Sequence, residues 1–250
     1  MKMSELVSSV AGFRADLAEV RSKIYDVPWY PYGSLDNVYH LESFIDGNTE
    51  MVPKGGSVID VGAADGDLGF FFHSLGSHVD FLDNGPTNFN QCRAIRATQK
   101  VLDHTGRLIE TDIDLGFELD RDYDLAIFLG ALYHLRNPAL SLIRLAQHCQ
   151  HMVISTRIAS HLPSGEDISK SPVGYLLNAA EANNDPTNWW IFSREGLTRL
   201  LKRCGWNVLS MTTVGVVGRS NPTDNAADER AFAYCERVPN HDDLFVHHNF

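Results

Sequence analysis

No apolar run in this chain approaches the ~20 residues a helix needs to cross a bilayer. A basic stretch leading into an apolar core is also missing at the start. Glu5, Arg14, Asp16 and Glu19 are instead spread through an amphipathic pattern, so no secretory leader is expected. Cysteine is scarce: Cys92, Cys149, Cys204 and Cys235 lie far apart with no C-x-x-C pair. That argues against a disulfide framework and predicts free, packed thiols in a reducing cytoplasm. Positive charge is short, with 21 Lys and Arg against 32 Asp and Glu, a net charge of −11 at pH 7. Such a surface repels a phosphate backbone at long range and disfavours a nucleic-acid partner, although a local basic patch would remain compatible with one. There is no internal repeat and no low-complexity stretch.

What is present is ordinary for a globular chain. Apolar residues make up 44% and charged residues 21%, which argues against a disordered polymer. The 250 residues suffice for one substantial α/β domain and are short for two. Leu6, Val10, Phe13, Leu17 and Val20 recur at three- and four-residue spacing and predict a helix over the first ~22 residues. A second helix is expected from Ser34 as N-cap, carrying Val38, Leu41, Phe44 and Ile45 inward. From residue 56 strands and helices alternate. Strands are expected at 57–61, 78–82, 107–111, 123–129 and 151–155, with helices at 68–75, 88–102 and 137–148 between them. Asn137 is read as the cap of the last helix and Pro138 as its first turn. This alternation predicts a parallel sheet covered on both faces. Residues 158–190 break the rhythm with Pro163, Gly165, Pro172, Gly174 and Pro186. They are read as a lid-like insertion after the fifth strand. Ser193 then caps a helix to Lys202, and strands near 206–214 and 230–237 follow. The expected division is an N-terminal helical cap (1–52), an α/β domain (53–240) and a tail (241–250).

The sharpest local signal is Asp60-Val61-Gly62-Ala63-Ala64-Asp65-Gly66. A strand runs into a turn of small residues and then a helix, so a ligand can lie against bare backbone and a helix N-terminus. Asp83 ends the next strand, about twenty residues on, where a carboxylate meets ribose hydroxyls in nucleoside-binding α/β folds. The rival dinucleotide fingerprint needs a third glycine near Leu68-Gly69, and the spacing that cradles a pyrophosphate is not kept.

With these residues the chain resembles the class I S-adenosylmethionine-dependent methyltransferases across roughly residues 55–237; Ala64 stands where their motif usually has glycine. The resemblance implies a Rossmann-like seven-stranded sheet flanked by helices, with the last strand antiparallel. It implies S-adenosylmethionine as cofactor, held by Asp60, Gly62, Ala63, Ala64, Asp65 and Gly66 at the turn. Asp83 and Asn84 would meet the ribose, Asp112 and Ile113 the adenine, and Leu129 and Gly130 the methionine moiety. The segment Gly130-Ala131-Leu132-Tyr133-His134-Leu135-Arg136-Asn137-Pro138 is similar to one in the tRNA wobble-uridine alkyltransferase group. Leu135 replaces that group's basic residue, and uncharged Trp29-Tyr30-Pro31-Tyr32 replaces its basic N-terminal segment. Ordinary S-adenosylmethionine is therefore expected over a carboxylated derivative, whose carboxylate would need buried positive partners.

Methyl transfer from a sulfonium is an in-line displacement, so alignment and exclusion of water dominate. A general base matters only when the acceptor must lose a proton. His134, just past the fourth strand, is the candidate base, with capping or packing of its own turn as the alternative. Tyr133 is a candidate for positioning the acceptor or cofactor, or else a core residue. Trp29, Tyr30, Tyr32, Arg136, Trp189 and Trp190 are candidate acceptor-binding residues. For the aromatic ones, an apolar staple is the competing reading. His241, Asp242, Asp243, His247 and His248 lack helical metal-ligand spacing and are read as a solvated tail, so no metal is expected. The favoured expectation is a cytoplasmic methyltransferase acting on a small-molecule oxygen or nitrogen. A tRNA wobble-uridine methyltransferase and a non-catalytic cofactor-binding module are the alternatives.

Overall fold

The computed structural model describes residues 1–239, which form two compact units. The first comprises Met1–Ile113 and Leu119–Phe128, the second Asp114–Glu118 and the chain from Leu129 onward. No described helix is long and apolar enough to cross a membrane.

The first unit opens with α1 (Met3–Ser22), whose stripe Met3, Leu6, Val10, Phe13, Leu17 and Val20 is buried as its spacing predicts. Phe13 meets Phe71 with ring centroids 5.4 Å apart. Helix α2 (Asn37–Glu42) buries Val38 and Leu41. It begins three residues later than its expected cap: Ser34 supplies only a main-chain turn, its carbonyl accepting from Asn37 N–H. Strand β1 (Ser57–Val61) lies parallel between β2 (His78–Asp83) and β4 (Tyr123–Leu129), and β2 pairs parallel with β3 (Leu108–Glu110).

Helix α3 (Asp67–Ser74) follows β1 and approaches β2 closely because Gly69 has no side chain. A Cβ there would stand 2.3 Å from Phe81 Cε1. Helix α4 (Arg93–Val101) starts five residues after its expected origin at Asn88. Gln91 and Cys92 both take positive φ (58° each), and the Asn88 amide oxygen accepts from Asn90 and Cys92 N–H. The polar run that reads as a helix start is a separate turn held by the Asn88 side chain.

In the second unit, α5 (Pro138–His148) leads into β5 (Cys149–Ile158), which pairs antiparallel with β9 (Glu229–Arg237). Strand β8 (Trp206–Gly215) pairs antiparallel with β9. Asn137 does not cap α5 through its side chain, which instead donates to the Asp114 carbonyl (3.1 Å). Helix α6 (Arg194–Arg203) is capped as expected, Ser193 Oγ accepting from Gly196 N–H at 2.9 Å. Trp206 is fully buried and its indole N–H donates to Leu142 O at 3.0 Å.

The expected strands are all present, and the punctuated segment adds two short ones, β6 (Gly174–Leu176) and β7 (Trp190–Phe192). These pair antiparallel, and β7 lies parallel to the end of β5 through Ile158 and Phe192. Strand β5 runs past its expected end at Ser155 because its pairing with β9 continues to Ile158 opposite Glu229. Arg157, 4% exposed, pairs with Asp228 at 2.9 Å and donates to the Asp224 carbonyl. The four cysteines are free and buried.

Gly69→Ala forces a methyl into the Phe81 ring. We expect it to lower unfolding free energy by about 1–3 kcal/mol, the usual cost of overpacking, in urea titration. An unchanged midpoint would show that α3 and β2 separate freely.

Candidate functional site

The turn after β1 is built on three left-handed residues: Gly62 (φ 65°), Ala64 (φ 54°) and Gly66 (φ 82°). Glycine accepts such angles without cost, whereas alanine pays ~1–2 kcal/mol for the clash of its Cβ. Ala64 is held there from both sides. Its N–H donates to Asp83 Oδ2 (3.0 Å), and its carbonyl accepts from the Asn88 side-chain amide (3.0 Å). The same amide donates to Asp83 Oδ2 (3.0 Å), while Asn84 N–H donates to Asp83 Oδ1 (2.7 Å). Burial pushes the Asp83 carboxyl up, and these hydrogen bonds oppose that by favouring its charged form.

Helix α3 has Gly66 as N-cap and so no side chain of its own there to satisfy its first amides. Asp60 supplies the acceptor from β1: its Oδ2 receives Gly69 N–H at 2.9 Å. Full burial raises the Asp60 carboxyl to about 7, partly offset by that N–H.

Asp65 and Asp67 face Arg21 of α1. The guanidinium lies 3.2 Å from Asp65 and 2.6 Å from Asp67, and stacks over the Trp29 ring at 4.4 Å. Asp65 also accepts from Tyr30 N–H (2.8 Å) and from the Asn90 amide (2.6 Å), which in turn reaches Pro28 O (3.1 Å). The aromatic N-terminal segment is thereby fastened to the turn. Tyr30 meets Tyr32 and Phe89 edge-on at 5.4 and 5.7 Å. Trp29 is partly buried beneath its cation, while Tyr32 is 74% exposed. Asp112 is half-buried and Ile113 buried.

These residues fit an adenosyl nucleoside. The turn presents only the small side chains of Gly62, Ala63 and Ala64, and a hydrogen-bond acceptor, Asp83, closes β2 beside it.

The second unit gathers another set of candidates. Leu129 and Gly130 are half-buried, and Gly130 (φ 80°) donates its N–H to Ser155 O at 2.9 Å. Tyr133 and His134 lie in a short 3-10 turn with ring centroids 4.1 Å apart. The Tyr133 ring packs against the apolar cluster of Ala159, Leu177, Ala182 and Ile191, and the Arg230 guanidinium lies 5.4 Å from its centroid. The Tyr133 carbonyl accepts from Trp189 N–H at 2.8 Å, and the Arg136 carbonyl from the Trp190 indole at 3.2 Å. Arg136 itself pairs with Asp114 at 3.0 Å. His134 Nδ1 stands 2.9 Å from Thr187 Oγ1, which donates to Asp185 Oδ1 at 2.6 Å. Burial holds the His134 imidazole below the usual histidine range; Asp185 and the Thr187 main chain oppose this, and Arg230 adds to it.

Several residues that build these sites escaped the sequence reading. Asn88 and Asn90 fell in the expected helix 88–102, Arg21 in the expected N-terminal helix, and Asp185 and Thr187 in the 158–190 insertion. No cluster of metal-ligating side chains occurs among the described residues, and the histidine-rich 241–250 segment lies outside them.

Parallel strands in the order β3-β2-β1-β4, a glycine-rich turn after β1 and an acid closing β2 define a Rossmann-like nucleoside-binding class. The chain belongs to the methyltransferase-domain family, whose model matches residues 39–211, and is an enzyme of that kind. No curated protein matches its sequence significantly. Among solved structures, the N-terminal domain of EvdMO1 with SAH bound aligns over 90% of this chain and 96% of its own, at 16% identity and TM-score 0.54. TehB from Haemophilus influenzae aligns over 73% and 57%, at 15% identity and TM-score 0.51. An S-adenosylmethionine-dependent methyltransferase from Clostridium acetobutylicum aligns over 73% and 84%, at 10% identity and TM-score 0.50. At these identities the likeness is one of fold.

The Asp60 carboxyl predicts a pH effect. Its folded value of about 7 lies above the ordinary aspartate value of about 3.9, so the folded chain keeps a proton that the unfolded chain releases. Its contribution to stability is present below about 4 and is lost as pH rises toward 7. Asn in its place still accepts from Gly69 without titrating. Thermal melts from pH 4 to 7 should therefore show the wild type losing more stability than Asp60→Asn across that window. Parallel curves would place the Asp60 proton elsewhere.

Proposed function

We propose that this enzyme transfers a methyl group from S-adenosylmethionine to an oxygen or nitrogen of a small-molecule acceptor. The observation that carries this reading is the Asp83–Ala64–Asn88 lock, which holds a strained, side-chain-poor turn beside a carboxylate. The methyltransferase family match supports the reaction class, and the likeness to S-adenosylmethionine-dependent enzymes supports the donor. The net charge of −11 favours a small acceptor over a polyanion.

When bound, the cofactor supplies an activated methyl on a sulfonium, and the leaving thioether needs no proton. The chain's own groups bind and orient. Asp83 takes the ribose hydroxyls, in competition with the Asn88 amide, and Gly62, Ala63, Ala64 and Gly66 admit the nucleoside to the backbone. Asp60 and Asp65 stabilise the turn rather than touch the ligand. Tyr30 and Tyr32 supply aromatic faces that suit a sulfonium or an aromatic acceptor. His134, kept neutral by burial, takes the acceptor's proton when it has one to lose. Methylation of tRNA is a second reading that rests on the Gly130–Pro138 resemblance alone.

Calorimetry with S-adenosylhomocysteine tests the donor. We expect measurable binding that weakens at least about tenfold in Asp83→Ala, the loss of one charge-assisted hydrogen bond. Asp83→Asn, which can keep part of the turn's hydrogen bonding, guards against misfolding. With labelled S-adenosylmethionine and a panel of phenols, alcohols and amines, His134→Ala should lower turnover of proton-losing acceptors by up to ~10²–10⁴-fold. Its affinity for S-adenosylhomocysteine should be unchanged. Full turnover without His134 removes it from the chemistry.

A further inference from the structure

We infer that Thr187 and Asp185 form a relay that fixes the tautomer of His134, leaving the basic lone pair on Nε2. A threonine hydroxyl has one hydrogen to donate, and a carboxylate has none. Thr187 Oγ1 lies 2.6 Å from Asp185 Oδ1, so that hydrogen is committed to the carboxylate. The contact of 2.9 Å between Thr187 Oγ1 and His134 Nδ1 must then be filled by a hydrogen on the ring nitrogen. The order is Nδ1–H to hydroxyl oxygen, and hydroxyl hydrogen to carboxylate. Nε2 is left without a proton whenever the imidazole is neutral.

The relay is built rather than incidental. Asp185 also accepts from Thr187 N–H at 2.9 Å, which closes a two-residue turn and fixes the direction of the hydroxyl. Two residues on, Trp189 N–H donates to the Tyr133 carbonyl, so the loop is tied to the turn that carries the histidine. Asn188, between them, is buried and its amide donates to Ala182 O at 2.8 Å.

The groups acting on the ring come from three segments. Asp185 faces it through Thr187, Arg230 of β9 acts from the opposite sign of charge, and the Tyr133 ring lies beside it. Asp185 favours the imidazolium that would form on accepting a proton, while Arg230 and burial favour the neutral ring. A base that is neutral at rest and steadied once protonated follows from that balance. Thr187 and Asp185 are thus positioning residues, and their use in catalysis rests on the reading of His134 as base.

Nitrogen NMR of ¹⁵N-histidine-labelled protein tests the tautomer without any acceptor or turnover. The His134 signals are identified by their loss in His134→Gln. Above the ring's pKa, we expect a pyrrole-like Nδ1 and a pyridine-like Nε2. Thr187→Val removes the acceptor and should move the ring toward the Nε2–H form that free histidine favours, while Thr187→Ser should restore the wild-type pattern. Asp185→Asn keeps an acceptor for the hydroxyl but removes the charge, so the tautomer should persist while the His134 pKa falls. A pyridine-like Nδ1 in the wild type, or a spectrum indifferent to Thr187→Val, overturns the relay. Because S-adenosylhomocysteine binding is measured separately, loss of the methyltransfer reading would leave this result standing, and the reverse.

Discussion

The strained turn after β1 depends on carboxylates that are buried yet satisfied. Asp60 and Asp65 are 4% exposed, and Asp67 and Asp83 6%. Removing a carboxylate from water is expensive unless hydrogen bonds or a cation replace the lost solvent. Here main-chain N–H groups do most of that work: Gly69 for Asp60, Tyr30 for Asp65, Ala64 and Asn84 for Asp83. Arg21 serves Asp65 and Asp67 together. The carboxylates in return hold the backbone in a shape that the chain would not keep by itself, Ala64 above all.

This arrangement couples the N-terminal helix to the chemistry of the turn. Arg21 and Trp29 form one stacked unit, and Asp65 accepts from both Arg21 and the amide of Tyr30. The aromatic residues that follow α1 are therefore placed by the acids of the turn. Trp29 staples, under its cation. Tyr30 and Tyr32 keep exposed ring surface.

The second unit uses the same economy with a different group. Burial holds the His134 imidazole below the usual histidine range, and Thr187 and Asp185 give its ring a direction. Tyr133, adjacent in sequence, splits its two ends: the ring packs on an apolar cluster and the carbonyl anchors the loop that carries Thr187. The Trp190 indole donates to the Arg136 carbonyl, and Arg136 Nε pairs with Asp114.

Local pattern alone determined the α1 stripe, the alternation of strands and helices, the Gly62–Gly66 turn and the acid at Asp83, because each of these obeys a short-range rule of period or backbone sterics. Only the tertiary structure decided that α4 starts at Arg93, that β5 runs on through Arg157, and that Asn88, Asn90, Arg21, Asp185 and Thr187 belong to the sites. Most of those outcomes depend on where a polar side chain finds a partner across tens of residues, as Arg21 does at Asp65, Asn88 at Ala64, Arg157 at Asp224 and His134 at Thr187. Sequence spacing carries no record of such a distance, whereas burial makes finding the partner compulsory.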